Sequence, residues 1–252
     1  MGENEKAVCV WKVAENGDLT RVSAEYNKVT GEITFETSKS GMFAVGYEPV
    51  ALWENDFTDV SVRDWFYDAV AFANWYKLFA GIETNEFGPE ETMTRAMFAT
   101  VLYKLEMGAN VPYTGEVNYN FTDIDEDAYF FGAVAWAAKN GLLTGFVTEE
   151  DSEFNPYEAI TRQEMAVMFY NYTVYKEYVQ PQNKSMPNYA DSSEIAEWAA
   201  DAVAMLSRAG VMVGKGVNTP VFDPAAAATR AEVAAMFKNY IRFVGIVGVR
   251  AY

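Results

Sequence analysis

One block occurs three times in this chain, and it limits the possible folds more than any other feature. It opens as Phe57-Thr58-Asp59-Val60, as Phe121-Thr122-Asp123-Ile124 and as Tyr189-Ala190-Asp191. It closes each time on a Thr-Arg pair heading an apolar pattern: Thr94-Arg95, Thr161-Arg162 and Thr229-Arg230. A tandem repeat of this length implies stacking, because one unit rarely buries its own apolar face and needs neighbours to do so.

Within each block the hydrophobic period is helical. In the first, Trp65, Ala69, Phe72, Ala73 and Tyr76 share one face. After the Thr-Arg pair, apolar residues fall three, six, seven and ten places beyond the arginine. They are Phe98, Val101, Leu102 and Leu105, then Met165, Met168, Phe169 and Tyr172, then Val233, Met236, Phe237 and Tyr240. Three segments obeying one template predict three helix–loop–helix units. The loops align as well. Val70, Val134 and Val203 each precede a glycine (Gly81, Gly145, Gly214) by the same interval. Phe87-Gly88-Pro89, Phe154-Asn155-Pro156 and Phe222-Asp223-Pro224 each precede the arginine by the same interval. Only the stretch between glycine and proline varies in length, as a surface loop does.

Residues 7–47 read differently. Val8 to Val13, Leu19 to Val22, Glu32 to Glu36 and Met42 to Tyr47 form short β-rich runs, with turns at Asn16-Gly17, Thr30-Gly31 and Ser40-Gly41. Four strands are expected, and so short a segment is marginal as an independent domain. It reads as the end of a β-sandwich-like domain or a small docked sheet, bounded at Glu48-Pro49. The expected division is 1–50 as the β-hairpin segment and 51–110, 111–180 and 181–252 as the three repeats.

Composition narrows the chemistry. Half of the 252 residues are hydrophobic and 15% are aromatic, which favours a packed core over disorder. The net charge of −17 argues against nucleic acid and anionic membrane surfaces as partners. No apolar run approaches the length of a membrane span. With no histidine, Ser-His-Asp and Cys-His catalysis are excluded, as is the commonest metal ligand. The single Cys9 reads as a buried strand residue. The polar start, Met1 to Lys6, does not resemble a signal peptide, so the chain reads as cytosolic or as a piece of a longer exported protein.

The repeat resembles the S-layer homology (SLH) domain. That family pattern has an aromatic-x-Asp opening, a Trp-Tyr-like pair, a Gly-Leu-x-x-Gly turn, a Phe-x-Pro loop and an Ile-Thr-Arg-Ala-Glu helix start. The aromatic pair appears here as Trp65-Phe66, Tyr129-Phe130 and Trp198-Ala199. The glycine turn appears as Gly141-Leu142-Leu143-Thr144-Gly145 and Gly210-Val211-Met212-Val213-Gly214, whereas Leu78-Phe79-Ala80-Gly81 lacks the first glycine. The helix starts read Met93-Thr94-Arg95-Ala96-Met97, Ile160-Thr161-Arg162-Gln163-Glu164 and Ala228-Thr229-Arg230-Ala231-Glu232. The resemblance covers residues 55–245. It implies a mainly α fold in which three repeats form a pseudo-threefold prism around a central helical bundle. It further implies non-covalent attachment of an exported bacterial protein to secondary cell-wall polysaccharide, through a pyruvylated N-acetylmannosamine held in grooves between repeats. The implied location is the cell wall or surface layer. The implied ligand-binding residues are Arg95, Arg162 and Arg230, Gly81, Gly145 and Gly214, Asp59, Asp123 and Asp191, and Trp65, Tyr129 and Trp198. No cofactor and no metal are implied.

Each of these residues also has a structural explanation. Thr161 with Glu164, and Thr229 with Glu232, can form capping boxes. Capping does not explain an arginine at the first helical position, where a cation opposes the helix dipole. The arginine therefore calls for a nearby acceptor. One candidate is an acidic neighbour such as Asp59, Asp123 or Asp191. The other is a ligand carboxylate beside helix N-terminal amides that also favour anions. Met97 replaces the capping glutamate in repeat one, which marks the first site as altered and repeats two and three as the better candidates. The opening aromatics are expected to lie partly in the core. The three turn glycines are expected to supply positive φ after a helix. Asp123 to Asp127 resembles a calcium loop but lacks the required Gly and Glu, and reads as a solvated acidic run.

Three function classes compete. The first is a wall-anchoring, non-enzymatic carbohydrate-binding module. The second is a protein–protein or surface-layer lattice module in which the arginines are purely structural. The third, a two-carboxylate glycosidase, is disfavoured because three equivalent sites are expected rather than one cleft.

Overall fold

The computed structural model describes residues 8–14, 19–22, 24–27, 30–38, 40–47, 53–117, 119–143, 145–147, 152–178, 185–216 and 219–243. Two compact units emerge, Met1–Asp56 and Phe57–Tyr252. The chain is mainly helical, with short antiparallel strands at the N-terminal end.

In the first unit, β1 (Val8–Val13) lies between β2 (Leu19–Val22) and β5 (Met42–Tyr47). Both pairings are antiparallel, with Val10 opposite Val22 and Val45. A fifth strand, β3 (Ala24–Asn27), pairs with β4 (Glu32–Phe35) as a separate hairpin. Four strands were expected; Ala24–Asn27 is polar, alternates weakly and carries little strand signal. The Thr30-Gly31 turn is present, with Gly31 at φ 72° and its N–H donating to the Asn27 carbonyl at 2.7 Å. Cys9 and Val10 are the buried residues of β1. The Asn16-Gly17 turn and the Glu48-Pro49 boundary fall outside the described residues.

Among its described residues, the second unit has six α-helices: α1 (Tyr67–Trp75), α2 (Arg95–Met107), α3 (Phe131–Lys139), α4 (Arg162–Tyr175), α5 (Ala200–Ala209) and α6 (Arg230–Phe243). A two-residue ladder, β6 (Phe146–Val147) with β7 (Ser152–Glu153), lies between α3 and α4. The template positions behave as the period predicts. All twelve, from Phe98 to Tyr240, are buried, and Val70, Val134 and Val203 are fully enclosed. Phe98, Phe169 and Phe237 meet as a triangle, with ring centroids 5.1, 5.4 and 4.9 Å apart. The three second helices thus converge on one aromatic cluster, where such pairs add about 0.5–1.5 kcal/mol each beyond burial.

The repeats are joined in a cycle. Helix α2 packs on α3 of the next repeat, α4 packs on α5, and α6 returns to α1. The segments before the second helices follow the same order, with bridges Thr94–Ala159, Thr161–Ala227 and Thr92–Thr229. Helix starts leave orphan N–H donors, and here the next repeat satisfies them. The N–H groups of Arg95 and Ala96 donate to the Glu158 and Pro156 carbonyls. Those of Arg162 and Gln163 donate to Ala226 and Pro224, and those of Arg230 and Ala231 to Glu91 and Pro89.

The first helices end alike. Residues 77, 141 and 210 adopt φ of 55°, 68° and 70°, and the following residues (Leu78, Leu142, Val211) are buried and donate back to the Ala73, Ala137 and Leu206 carbonyls. This is a Schellman stop. It corrects one expectation: the positive-φ residues are Lys77, Gly141 and Gly210, not Gly81, Gly145 and Gly214. The latter are needed for space. A Cβ at Gly81 would lie 2.6 Å from the Glu86 carbonyl oxygen, and one at Gly214 would lie 2.6 Å from the Tyr189 ring. At Gly145 it would meet the Phe121 ring and the Glu153 carbonyl.

Candidate functional site

Each junction between repeats is built on the Phe-x-Pro loop. Its middle residue (Gly88, Asn155, Asp223) adopts positive φ, a conformation that Gly, Asn and Asp tolerate best. The loop is held from inside its own repeat by the opening aspartate. Asp59 accepts from the N–H groups of Phe87 and Gly88 at 2.9 and 2.7 Å. Asp123 accepts from Phe154 and Asn155 at 2.9 and 2.6 Å. Asp191 accepts from Phe222 and Asp223 at 2.7 and 2.6 Å. Burial works to raise the Asp191 carboxyl, but these N–H bonds and the nearby Arg162 outweigh it and leave it below its ordinary value.

From outside, the preceding repeat's arginine grips the same loop. Arg95 Nε donates to the Phe154 carbonyl at 2.8 Å, Arg162 Nε to Phe222 at 2.7 Å and Arg230 Nε to Phe87 at 2.9 Å. Each guanidinium also lies over the ring of that phenylalanine, 4.8–5.0 Å from its centroid. A second donor reaches the glycine turn: Arg162 Nη2 to the Val213 carbonyl at 2.9 Å, and Arg230 Nη2 to Ala80 at 2.6 Å. The equivalent residue opposite Arg95 is Thr144, outside the described residues. The arginines are only 5%, 2% and 7% exposed, so they are part of the core as well as lining the junctions.

The principal acceptors that the first helical position calls for are therefore backbone carbonyls of the next repeat. Asp59, Asp123 and Asp191 lie within electrostatic reach of Arg230, Arg95 and Arg162, while their oxygens accept from the loop amides. The helix N-terminal amides are likewise committed, the first two to loop carbonyls and the third to the capping threonine. Met97, Glu164 and Glu232 donate their N–H groups to Thr94, Thr161 and Thr229 at 3.2, 3.4 and 3.3 Å. The reciprocal bond, in which the Thr161 and Thr229 N–H groups donate to the Glu164 and Glu232 carboxylates, is present at 2.8 and 3.1 Å. The expectation that these amides face an anion is corrected: they have no free capacity for one.

The motif glutamates also work across the junctions. Glu164 of repeat two pairs with Arg95 of repeat one at 2.5 Å. Glu232 of repeat three lies within electrostatic reach of Arg162 of repeat two. Burial lowers all three guanidinium pKa values from the ordinary range. The counterweights are Glu164 and Asp123 for Arg95, and Glu232, Asp223, Tyr189 and Asp191 for Arg162. For Arg230 they are Asp59, Glu91 and Tyr129. All three remain cationic, as guanidinium groups do in proteins. The Met97 substitution therefore leaves the carboxylate partner of Arg95 intact, since that partner comes from repeat two.

The aromatic residues also depart from expectation. Trp65, Tyr129 and Trp198 are 67%, 68% and 60% exposed rather than partly in the core. They precede the helices. The neighbouring Phe66, Phe130 and Ala199 are buried in their place, and Trp65 and Tyr129 stand edge-on to Phe66 and Phe130. Trp198 belongs to a 3₁₀ turn, Glu197–Ala199, just after Ala196, whose N–H donates to Gln163 beside Arg162. Tyr129 of repeat two lies within electrostatic reach of Arg230 of repeat three, as do Asp59 and Glu91 of repeat one. Burial raises the Tyr129 phenol, with Tyr157 adding to the shift and Arg230 opposing it.

Two contributors escaped the sequence reading. One is the backbone of the Phe-x-Pro loop, whose Gly, Asn and Asp at the middle position were the available signal. The other is Tyr157, which is 72% exposed and edge-on to Phe130 at 5.6 Å. Among the described residues, no group of His, Cys, Asp and Glu is arranged to hold a metal ion. No described helix is long and apolar enough to cross a membrane.

Comparison with known proteins places these junctions in context. The chain is 28% identical over 226 residues to an amylopullulanase of Thermoanaerobacterium thermosulfurigenes, covering 89% of this chain and 11% of that protein. It is 28% identical over 227 residues to the exoglucanase XynX of Acetivibrio thermocellus, covering 88% of this chain and 20% of the enzyme. It is 27% identical over 192 residues to the surface-layer 125 kDa protein of Lysinibacillus sphaericus, covering 75% and 15%. The chain thus spans a fifth or less of these relatives. The S-layer homology domain matches residues 56–99, 120–166 and 188–234, each match running from the opening aromatic-x-Asp into the helix after Thr-Arg. With more than half of the chain matched in one register, and with each matched unit gripping the loop of the next, the chain belongs to the S-layer homology domain family.

Proposed function

We propose that this chain anchors an exported protein to the bacterial cell wall by binding secondary cell-wall polysaccharide in the junctions between repeats. A pyruvylated amino sugar is the ligand class that fits. The observation that carries this reading is the threefold recurrence of one constellation: a buried guanidinium at the junction between repeats, a glycine turn where no Cβ fits, and a widely exposed aromatic ring ahead of the first helix. A cation offers a planar donor fork to a carboxylate, and an exposed ring offers an apolar face to a sugar.

In this reading Arg95, Arg162 and Arg230 receive the anionic group, with Trp65, Tyr129 and Trp198 against the sugar. Gly81, Gly145 and Gly214 let the turn pack closely against the loop and ring that border each junction. Asp59, Asp123 and Asp191 act through the loops they hold. The module itself is non-catalytic. Catalysis in the enzyme relatives would belong to the four-fifths or more of their length that this chain does not span. The location is the cell surface.

Co-sedimentation with isolated wall sacculi, before and after stripping the secondary polysaccharide, tests this. Pelleting with untreated walls alone is the expected result. Equal pelleting with both preparations would point to peptidoglycan instead. No pelleting with either would favour assembly with other surface-layer proteins, the reading that the surface-layer relatives leave in play.

A further inference from the structure

The three junctions are alike in backbone and unlike in charge. At the first, Glu164 forms an ion pair with Arg95 and neutralises it. At the second, Glu232 occupies the same register position beside Arg162, though Lys215 also draws on it at 3.7 Å. At the third, where Arg230 of repeat three grips repeat one, the corresponding residue is Met97. A thioether supplies no counter-charge. Among the described residues, no carboxylate lies within ion-pair distance of Arg162 or of Arg230; what sets Arg230 apart is that a methionine holds the register position where Arg95 and Arg162 face a glutamate. Asp59 and Glu91 are within electrostatic reach, but both Asp59 oxygens hold loop amides. A second cation, Lys104 of α2, is also within electrostatic reach of Arg230.

An exposed aromatic residue of repeat two also comes within electrostatic reach of this guanidinium. Tyr129 lies near Arg230, and Tyr157 lies near Tyr129, both more than two-thirds exposed. Residues 90 and 225, which follow the equivalent prolines, are Glu and Ala. Tyr157 therefore has no aromatic counterpart in the other repeats.

We infer that the Arg230 junction is the dominant anion-receiving groove of the three, and that Met97 makes it so by leaving Arg230 without the glutamate that the other junctions carry. This rests on the anchoring reading above and adds to it a ranking of the grooves and the residue that sets the ranking. A glutamate at position 97 would compete with a carboxylate ligand for the same guanidinium. It would also complete a capping box with Thr94, so binding and stability should move in opposite directions.

The test uses the whole chain and purified wall polysaccharide, with calorimetric titration of wild type, Met97→Glu and Met97→Gln, and thermal melting of each. Gln matches Glu in shape without its charge. The expected result is binding at least about tenfold weaker for Met97→Glu, the scale of one charge-assisted bond, while Met97→Gln stays within about twofold of wild type. Met97→Glu should melt no lower than wild type. Unchanged binding in Met97→Glu, equal loss in both variants, or a lower melting temperature for Met97→Glu would each overturn the inference while leaving the anchoring reading standing. Absence of wild-type binding to the polysaccharide would overturn the anchoring reading, and this inference with it.

Discussion

Arg162 shows how much one side chain carries in this architecture. Its Nε and Nη2 hold two carbonyls of the next repeat, its plane covers the Phe222 ring, and it is 2% exposed. Alanine there would leave the Phe222 and Val213 carbonyls without their donors and open a cavity beside the ring. The expected cost is about 2–4 kcal/mol, in the range for breaking a buried network. Melting should fall by about 2–4 °C for each kcal/mol. An Arg162→Ala protein that melts like wild type would show that this clamp contributes little. The consequence for function is direct: loss of wall binding in an alanine variant supports a ligand contact only when melting shows the fold intact. That caution could not be read from the sequence. The repeated arginine signalled an unmet acceptor, but not that the main acceptors were backbone carbonyls, because carbonyl positions depend on a loop conformation that residue types only hint at.

At the scale of elements, the second helices were legible in full. Their twelve template positions are all buried because helical period and burial are tied by geometry. The first helices were less so. Trp65 fits the helical period, yet the helix begins at Tyr67, and Phe66 takes the buried place. Periodicity alone cannot tell which of two adjacent aromatics turns inward. The β3 strand was missed for a related reason, since a polar hairpin strand on a small sheet carries little hydrophobic pattern. The glycine turn was half legible. The family pattern contains two glycines, and the first, not the second, supplies positive φ. In repeat one Lys77 adopts this conformation at φ 55° without the freedom of glycine. A side chain in that region costs about 1–2 kcal/mol, partly offset by the greater unfolded-state entropy of glycine. Lys77→Gly should therefore stabilise the protein by up to about 1 kcal/mol. A denaturant titration showing no gain would mean that Lys77 makes a compensating contact.

For the whole molecule, the cyclic order of the contacts decides how it unfolds. Each repeat supplies the carbonyls that finish the helix start of the one before, and repeat one supplies them for repeat three. No repeat is complete alone, and no pair is complete either. Removing residues 185–252 would deprive Arg162 and Gln163 of their acceptors and take Phe237 from between Phe98 and Phe169. It would also strip α6 from α1. An open solenoid would tolerate such a loss, because its stability adds up repeat by repeat. A closed cycle would not, since one deletion breaks two junctions of three. Calorimetry of residues 57–252 should accordingly show one cooperative transition, and the two-repeat piece 57–184 should show none. A cooperative transition in the shorter piece would mean that the repeats stack additively and that closure contributes little. The same closure bears on binding, because the Arg230 junction forms only when the third repeat meets the first.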